Sequence, residues 1–109
     1  MAKATNSPHG DLSTVRIGVV GHGVVGSAFT ALVARQRDVI AARTGVLLDV
    51  VRIAVSDAGK HPSQVGGADV VTDAMAVATA KDVDLVVEVM GGTTLAGEVI
   101  RAALEAGKP

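Results

Sequence analysis

The sequence predicts an α/β fold in which helices cover a parallel β-sheet. Three short segments rich in Val, Ile and Leu are typical of buried strands, at 15–20, 47–55 and 85–89. Apolar residues at helical spacing follow the first and third of these strands, at 25–43 and 95–106. This alternation of strands and helices favours a parallel sheet with right-handed crossover connections.

The first strand ends directly on a glycine, and the apolar pattern then changes to a helical period. We expect one face of this helix to pack on the sheet, formed by Val25, Ala28, Phe29, Leu32 and Val33. Gly45 is expected to end the helix, because glycine readily adopts the left-handed conformation found at helix ends.

The middle of the chain is less clearly patterned. Residues 56–67 contain several glycines and one proline, which predicts a loop. Residues 69–81 leave two elements open: a brief strand at Val70-Val71 and a short Ala-rich helix capped by Asp73.

Composition excludes several classes of function. The 109 residues fit one domain, with a formal net charge of −1, no cysteine and a single aromatic residue, Phe29. Without a basic cluster or stacking rings, we expect no nucleic-acid partner. The lack of cysteine excludes disulfides and thiolate metal sites, and we expect no metal.

The first thirteen residues predict a flexible tail, so that the folded domain is expected to cover 14–109. The tail is polar and lacks the apolar run of a signal peptide. No stretch approaches the roughly 18 apolar residues that a membrane helix needs. The sequence therefore predicts a cytoplasmic protein with no membrane partner.

A glycine-rich turn carries the strongest functional signal. It follows a buried strand, opens a long helix, and has the sequence Gly21-His22-Gly23-Val24-Val25-Gly26. In this setting the first glycine allows a tight turn, the second lets a pyrophosphate approach the backbone, and the third lets the helix pack closely on the strand. The pattern predicts a Rossmann-type, doubly wound sheet that binds a dinucleotide at the N-terminus of the helix. His22 is either a pH-sensitive phosphate contact or a tolerated variable residue.

The end of the second strand bears on the choice between NAD and NADP. In such domains an acid at this position holds the ribose 2′-hydroxyl. Asp49 has roughly the usual spacing from the glycine turn but lies at the start of the strand, so Ser56 and Asp57 are the better candidates. Asp57 would suit NAD. Ser56 together with Lys60 could instead accept the 2′-phosphate of NADP, and so could Arg52 if its side chain reached over to the site. The choice of cofactor stays open.

A second glycine segment closes the third strand. Gly91, Gly92 and Thr93 fall at the edge of the sheet where ligands bind, so they are expected near the nicotinamide ribose. Alternatively, they form an ordinary turn in which Thr93 or Thr94 caps the next helix. Glu88, at the end of the strand, is interpreted as structural.

Together these segments resemble the cofactor domain of homoserine dehydrogenase across about residues 15–109. The resemblance depends on GHGVVG at 21–26, IAARTG at 40–45, VRIAV at 51–55, DVDLVVEVMGG at 82–92 and AALEAGKP at 102–109. The glycine turn alone is generic. Its combination with the acid-flanked third strand and the Gly-Gly that ends it is more specific.

The resemblance implies an enzyme that interconverts aspartate 4-semialdehyde and homoserine with NAD or NADP, in threonine and methionine biosynthesis. It implies that residues 22–26 hold the pyrophosphate and that Gly91, Gly92 and Thr93 lie near the nicotinamide. Family members often carry Arg where this chain has Ser56. The family continues past the equivalent of Pro109 into a strand and a substrate domain with the catalytic lysines and the acids that hold homoserine.

From this resemblance we expect the sheet to be incomplete at its C-terminal end, the whole protein to be a homo-oligomer, and the 109-residue chain to be inactive by itself. It contains no residue that would hold a substrate carbonyl against a nicotinamide. Two alternatives stay open: the cofactor domain of a related enzyme such as aspartate dehydrogenase, and a non-catalytic dinucleotide-sensing module.

Overall fold

The computed structural model describes residues 13–57, 59, 61–90 and 94–109. Five strands and three helices alternate along this part of the chain. In order they are β1 (Ser13–Val20), α1 (Val24–Thr44), β2 (Val46–Ala54), β3 (Gln64–Val65), β4 (Ala68–Val71), α2 (Ala74–Thr79), β5 (Leu85–Glu88) and α3 (Thr94–Glu105).

The strands form one sheet in the order β3-β4-β2-β1-β5. The pairs β1–β2, β1–β5 and β2–β4 are parallel, which confirms the predicted α/β class. β3 is the exception, since it pairs antiparallel with β4 inside the segment predicted to be a loop. Gly66 and Gly67 connect β3 to β4 with φ of +57° and +91°, the conformation that two-residue hairpin turns favour.

Helix α1 begins and ends within one residue of the predicted bounds, and Gly45 ends it with φ of +74°. The predicted packing face is wrong in part. Val25 and Leu32 are 63% and 48% exposed, and Ala28 is also exposed. The helix instead contacts the sheet through Gly26 and Val33, with Phe29 half-buried.

Two apolar layers cover the two faces of the sheet. On one face, Ile17, Val19 and Ile53 are buried with Phe29 of α1 packed against their cluster. On the other face, α2 and α3 pack over Val20 and Ala54. Helices on both sides of a parallel sheet are the doubly wound arrangement, so the predicted fold class is confirmed.

Residues 69–81, for which the sequence suggested either a brief strand or a short helix, contribute to both a strand and a helix. β4 pairs with β2, and the carboxylate Oδ1 of Asp73 accepts a hydrogen bond of 3.0 Å from the amide of Ala76, capping α2. Ser13, assigned to the flexible tail, instead begins β1, where it is buried and its amide donates to the Gly45 carbonyl at 3.0 Å. The rest of the predicted tail lies outside the described residues.

β5 is half-buried along its length, less covered than the sequence predicted. It pairs with β1 along one side. Along the other side, the amide of Val86 donates to the carbonyl of Pro109 at 3.1 Å. Within the described residues β5 is therefore close to the edge of the sheet.

Candidate cofactor-binding site

A cavity of about 690 Å³ opens at the carboxyl ends of the central strands. The strand ends are held together there, since Gly21 N donates to Ala54 O at 2.8 Å and Val89 N donates to Val20 O at 2.9 Å. The strand order reverses direction between β1 and β5, and open α/β sheets bind ligands in the crevice at such a point. The lining comprises Val20, Gly21, His22, Gly23, Ala54, Val55, Ser56, His61, Thr72, Ala74, Val89, Met90 and Leu95.

The three glycines of the turn have different surroundings. Gly21 has φ of +101°, and a Cβ there would lie 2.7 Å from the Cα of Met90. A Cβ on Gly26 would overlap the carbonyl oxygen of Gly21. A Cβ on Gly23 would meet no atom within 4 Å, so this glycine is not required by packing and leaves open space on the cavity side.

The N-terminus of α1 offers backbone donors beside this open space. The first hydrogen bond of the helix runs from Ser27 N to Gly23 O at 2.9 Å. The amides of Val24, Val25 and Gly26 precede it and have no partner within the helix. The first turn carries no acidic side chain, so the positive end of the helix dipole is not offset there. These features fit an anionic group of a pyrophosphate's kind.

His22 is held in place by the first turns of α1. Its Nε2 lies 3.0 Å from Thr30 Oγ1, and the Thr30 hydroxyl donates to Ser27 O at 3.1 Å. When the Thr30 hydroxyl gives its one proton to Ser27 O, His22 Nε2 is the donor to Thr30. The His61 ring lies 5.8 Å away, centroid to centroid, at 68°. Burial lowers the pKa of His22, and the charge of His61 lowers it further.

The candidates for contact with the ribose differ in whether they line the cavity. Ser56 lines the cavity. Asp57 is exposed and is absent from the lining; its Oδ1 accepts a hydrogen bond of 2.9 Å from the amide of Gly59. Asp49 lines a second cavity beside α1, which agrees with its rejection from sequence. Lys60 lies outside the described residues.

Arg52, the other candidate for a 2′-phosphate, is engaged by an acid. Its Nε and Nη2 donate to Oδ1 and Oδ2 of Asp82 at 3.0 and 2.8 Å. This two-pronged geometry occupies the guanidinium edge that a phosphate would use. Arg52 is also absent from the cavity lining.

The segment Gly91, Gly92 and Thr93 lies outside the described residues, so its predicted position near the nicotinamide stays a prediction. The residues just before it reach the site, since Val89 and Met90 form an apolar part of the wall. Glu88 Oε2 accepts a hydrogen bond of 2.8 Å from Met90 N, which supports the structural interpretation of that acid.

Sequence reasoning did not name several members of the wall, among them His61, Thr72 and Leu95. Thr72 directly follows β4, and strand ends are where a parallel sheet presents its ligand contacts, so that position carried a signal. His61 lies in a loop and Leu95 at the start of α3, where no sequence pattern pointed to the cavity.

Two kinds of feature are absent from the described residues: a metal-binding cluster and a membrane-spanning helix. No group of three or more His, Cys, Asp or Glu side chains there is arranged to hold a metal ion. None of the helices in the same residues is long and apolar enough to cross a membrane.

The fold and the site define a dinucleotide-binding α/β domain of the Rossmann type. A family model described as homoserine dehydrogenase, NAD binding domain, matches residues 21–109. The chain belongs to this family, and NAD or NADP is the cofactor that such a domain implies.

Relatives and solved structures agree with this assignment. The chain is 41% identical over 107 residues to homoserine dehydrogenase of Corynebacterium glutamicum, covering 98% of this chain and 24% of that protein. It is 33% identical over 98 residues to the Methylobacillus glycogenes enzyme, covering 89% of this chain and 24% of the relative. The homoserine dehydrogenase structure from Thiobacillus denitrificans matches with a TM-score of 0.80 and 31% identity, over 89% of this chain and 22% of that one.

The chain thus spans about a quarter of the length of the relatives it matches. A homoserine dehydrogenase structure from S. aureus also matches, with a TM-score of 0.80 and 26% identity, over 89% of this chain and 25% of that one. The comparisons favour homoserine dehydrogenase over both alternatives, the aspartate dehydrogenase domain and the sensing module.

Proposed function

We propose that this chain supplies the NAD(P)-binding part of an enzyme that interconverts aspartate 4-semialdehyde and homoserine by hydride transfer. The observation that carries the proposal is the open space at Gly23, between two glycines that packing does require. A turn built only for close packing would need Gly21 and Gly26. The missing side chain at Gly23 is explained by a ligand that approaches the backbone there.

In this proposal each part of the wall has a role. The amides of Val24, Val25 and Gly26 bind the pyrophosphate at the N-terminus of α1. Ser56, just after β2, contacts the adenosine ribose, and Asp57 is the next residue in the sequence. Gly91, Gly92 and Thr93, which follow Met90 in the sequence, are proposed to contact the nicotinamide ribose. The bound cofactor supplies or accepts the hydride.

The apolar wall gives the cofactor a surface to pack against. Val89, Met90 and Leu95 line the cavity where the strand order reverses. None of the described residues in the lining is an acid or a lysine that could hold or protonate a substrate carbonyl. We therefore propose that the chain binds cofactor and that other parts of the whole protein hold the substrate. A cytoplasmic location and a homo-oligomeric state of the whole protein stay predictions.

Calorimetric titration of the chain with NADH and NADPH tests the binding role. We expect saturable binding of at least one of them, and an affinity at least about tenfold lower in Gly23→Ala, which is a loss of about 1.4 kcal/mol. The alanine meets open space, so its circular dichroism should match the wild type. Because Gly23 is the N-cap of α1, where alanine is less favourable than glycine, the thermal midpoint should fall slightly.

Two results would contradict the binding role. One is a folded wild-type chain that gives no heat with either nucleotide. The other is a Gly23→Ala variant that binds as tightly as the wild type, since no pyrophosphate could then approach that glycine closely. The chain alone should not oxidise homoserine in the presence of NAD or NADP; measurable turnover would contradict the assignment of the substrate groups to other parts of the whole protein.

A further inference from the structure

The polar side chains in the described lining of the cofactor cavity are hydroxyl and imidazole groups. Its polar side chains are His22, Ser56, His61 and Thr72, and its described lining contains no carboxylate. An acid that holds the ribose 2′-hydroxyl favours NAD and repels a 2′-phosphate. Asp57 is the nearest candidate for that acid, yet its carboxylate is turned to the amide of Gly59. The wall therefore has hydroxyl and imidazole groups where a domain selective for NAD places an acid.

From this arrangement we infer that His22 and His61 form a phosphate-recognising pair, which makes the preference for NADPH over NADH increase as the pH falls. The inference rests on the proposed binding of NAD(P) and adds a selectivity device to that site. His22 comes from the glycine turn and His61 from the loop after β2, so the two rings approach the cavity from different segments. Their centroids are 5.8 Å apart, close enough for a single phosphate group to interact with both.

The hydrogen bonds of His22 determine which nitrogen titrates. In the tautomer in which Thr30 gives its proton to Ser27 O, His22 Nε2 donates to Thr30 Oγ1. The neutral ring therefore carries its proton on Nε2, and the second proton binds at Nδ1. Protonation converts Nδ1 from an acceptor to a donor without breaking the bond to Thr30. The ring can thus gain a charge while it stays fixed at the cavity wall.

The charged surroundings of the two histidines explain why a ligand is needed to stabilise their protonated forms. In the unliganded chain, burial and the neighbouring His61 both disfavour the charged form of His22. Arg37 of α1 and Asp49 of β2 line the second cavity, which His22 also borders, so one charge of each sign faces that cavity. A bound dianionic phosphate would reverse the balance, because it attracts both imidazolium groups and relieves their repulsion.

The size of the effect follows from proton linkage. If the 2′-phosphate raises the pKa of one imidazole by about one unit, NADPH affinity changes about tenfold between pH values below and above the titration. If binding of NADPH raises the pKa of a histidine, protonation of that histidine must strengthen the binding of NADPH. The affinity for NADPH is therefore higher at low pH. NADH has no 2′-phosphate, so its affinity should depend much less on pH through this pair.

Calorimetry with NADPH and NADH at about pH 6 and about pH 8.5 tests the inference. The variants are His22→Gln, which keeps a donor toward Thr30, His61→Gln, and the two combined. Arg101→Gln, an exposed charge removal on α3, is the matched control. In the wild type and the control, the affinity ratio of NADPH to NADH should be about tenfold higher at the lower pH. Each single variant should reduce that difference, and the double variant should have only the change due to titration of the 2′-phosphate itself.

Proton NMR of the imidazole C2–H signals gives a second measurement that does not depend on affinity. Saturating NADPH should raise the pKa of both histidines, and saturating NADH should leave them near their unliganded values. Equal pH dependence in the wild type and the double variant, with unmoved imidazole pKa values, would overturn the histidine pair while leaving NAD(P) binding intact. Failure of both nucleotides to bind the folded wild type would instead overturn the proposed function together with this inference.

Discussion

Gly26 faces the backbone of Gly21 so closely that a Cβ on Gly26 would overlap the Gly21 carbonyl oxygen. The start of α1 and the end of β1 are therefore fitted to each other without space for one methyl group. We expect Gly26→Ala to lower the free energy of unfolding by about 1–3 kcal/mol, the usual cost of inserting a carbon into a packed site. Urea denaturation followed by circular dichroism measures this. Because the turn must shift, NAD(P) affinity should fall as well.

Gly97 of α3 is the matched control for that variant. It also lies within a helix, but a Cβ there meets no atom within 4 Å, and the residue is exposed. Gly97→Ala should therefore raise the free energy of unfolding by about 0.5–1 kcal/mol, since alanine is the better helix former. If both alanines had the same effect, the close approach between Gly26 and Gly21 would not be what requires the glycine.

The strand–turn–helix that forms the site could be predicted because its signals are local. The period changes from strand to helix at Gly21, and α1 ends at the predicted glycine, Gly45. The face of α1 that packs on the sheet was predicted less successfully. Apolar residues lie all around this helix, and the contact with the sheet includes Gly26, which has no apolar side chain to count. The pattern therefore favoured Leu32, which is about half exposed.

The contacts between distant segments could not be predicted from the sequence. His22 and His61 are 39 positions apart, and their approach depends on how the loop after β2 returns to the sheet. The pairing of Arg52 with Asp82 likewise requires the register of three strands to be known. Sequence reasoning found the strand ends where ligands bind, but it did not determine which side chains are engaged elsewhere.

The salt bridge of Arg52 gives a test of cofactor selectivity. Because its guanidinium is bound to Asp82 and lies outside the cavity lining, Arg52→Gln should change NADPH affinity by less than about twofold. The pair is roughly one-third exposed, so its loss should cost no more than about 1 kcal/mol of stability. Titration with NADPH and NADH measures the first effect. A tenfold loss for NADPH alone would show that Arg52 leaves Asp82 to bind the 2′-phosphate.

Asp84 should give part of the acid sensitivity of the fold. The side chain of Arg16 donates to it at 3.1 Å and the Arg16 amide at 2.9 Å, and these hydrogen bonds lower the pKa of Asp84. A lowered folded-state pKa stabilises the chain at pH values above the unfolded pKa of about 3.9, and this stability is lost as the pH falls through the folded-state value. Asp84→Asn should therefore cost about 1 kcal/mol near neutral pH.

The difference between wild type and Asp84→Asn should shrink toward zero as the pH falls through the lowered folded-state pKa of Asp84, below which the native acid is also uncharged. Chemical denaturation at a series of pH values measures it. Asp82→Asn is the comparison: the pKa of Asp82 is lowered by its hydrogen bond with Arg52, but its side chain is 43% exposed against 13% for Asp84. Its effect should be smaller. A difference for Asp84→Asn that stayed constant down to the lowest pH would mean that packing, and not charge, explains the loss.

Lys108 connects the end of α3 to the segment before β5 through its side chain. Its Nζ donates to the carbonyl oxygens of Ala80 at 2.8 Å and Val83 at 2.6 Å. Lys108→Met keeps the half-buried aliphatic stem but removes both hydrogen bonds, so it should lower the free energy of unfolding by about 1–3 kcal/mol. Lys81→Met removes an exposed charge close by and should change it by less than about 0.5 kcal/mol. Because Val83 immediately precedes the segment that leads into β5, amide hydrogen exchange in β5 should also be faster in Lys108→Met. Equal stabilities for the two variants would show that these hydrogen bonds do not hold α3 to the sheet.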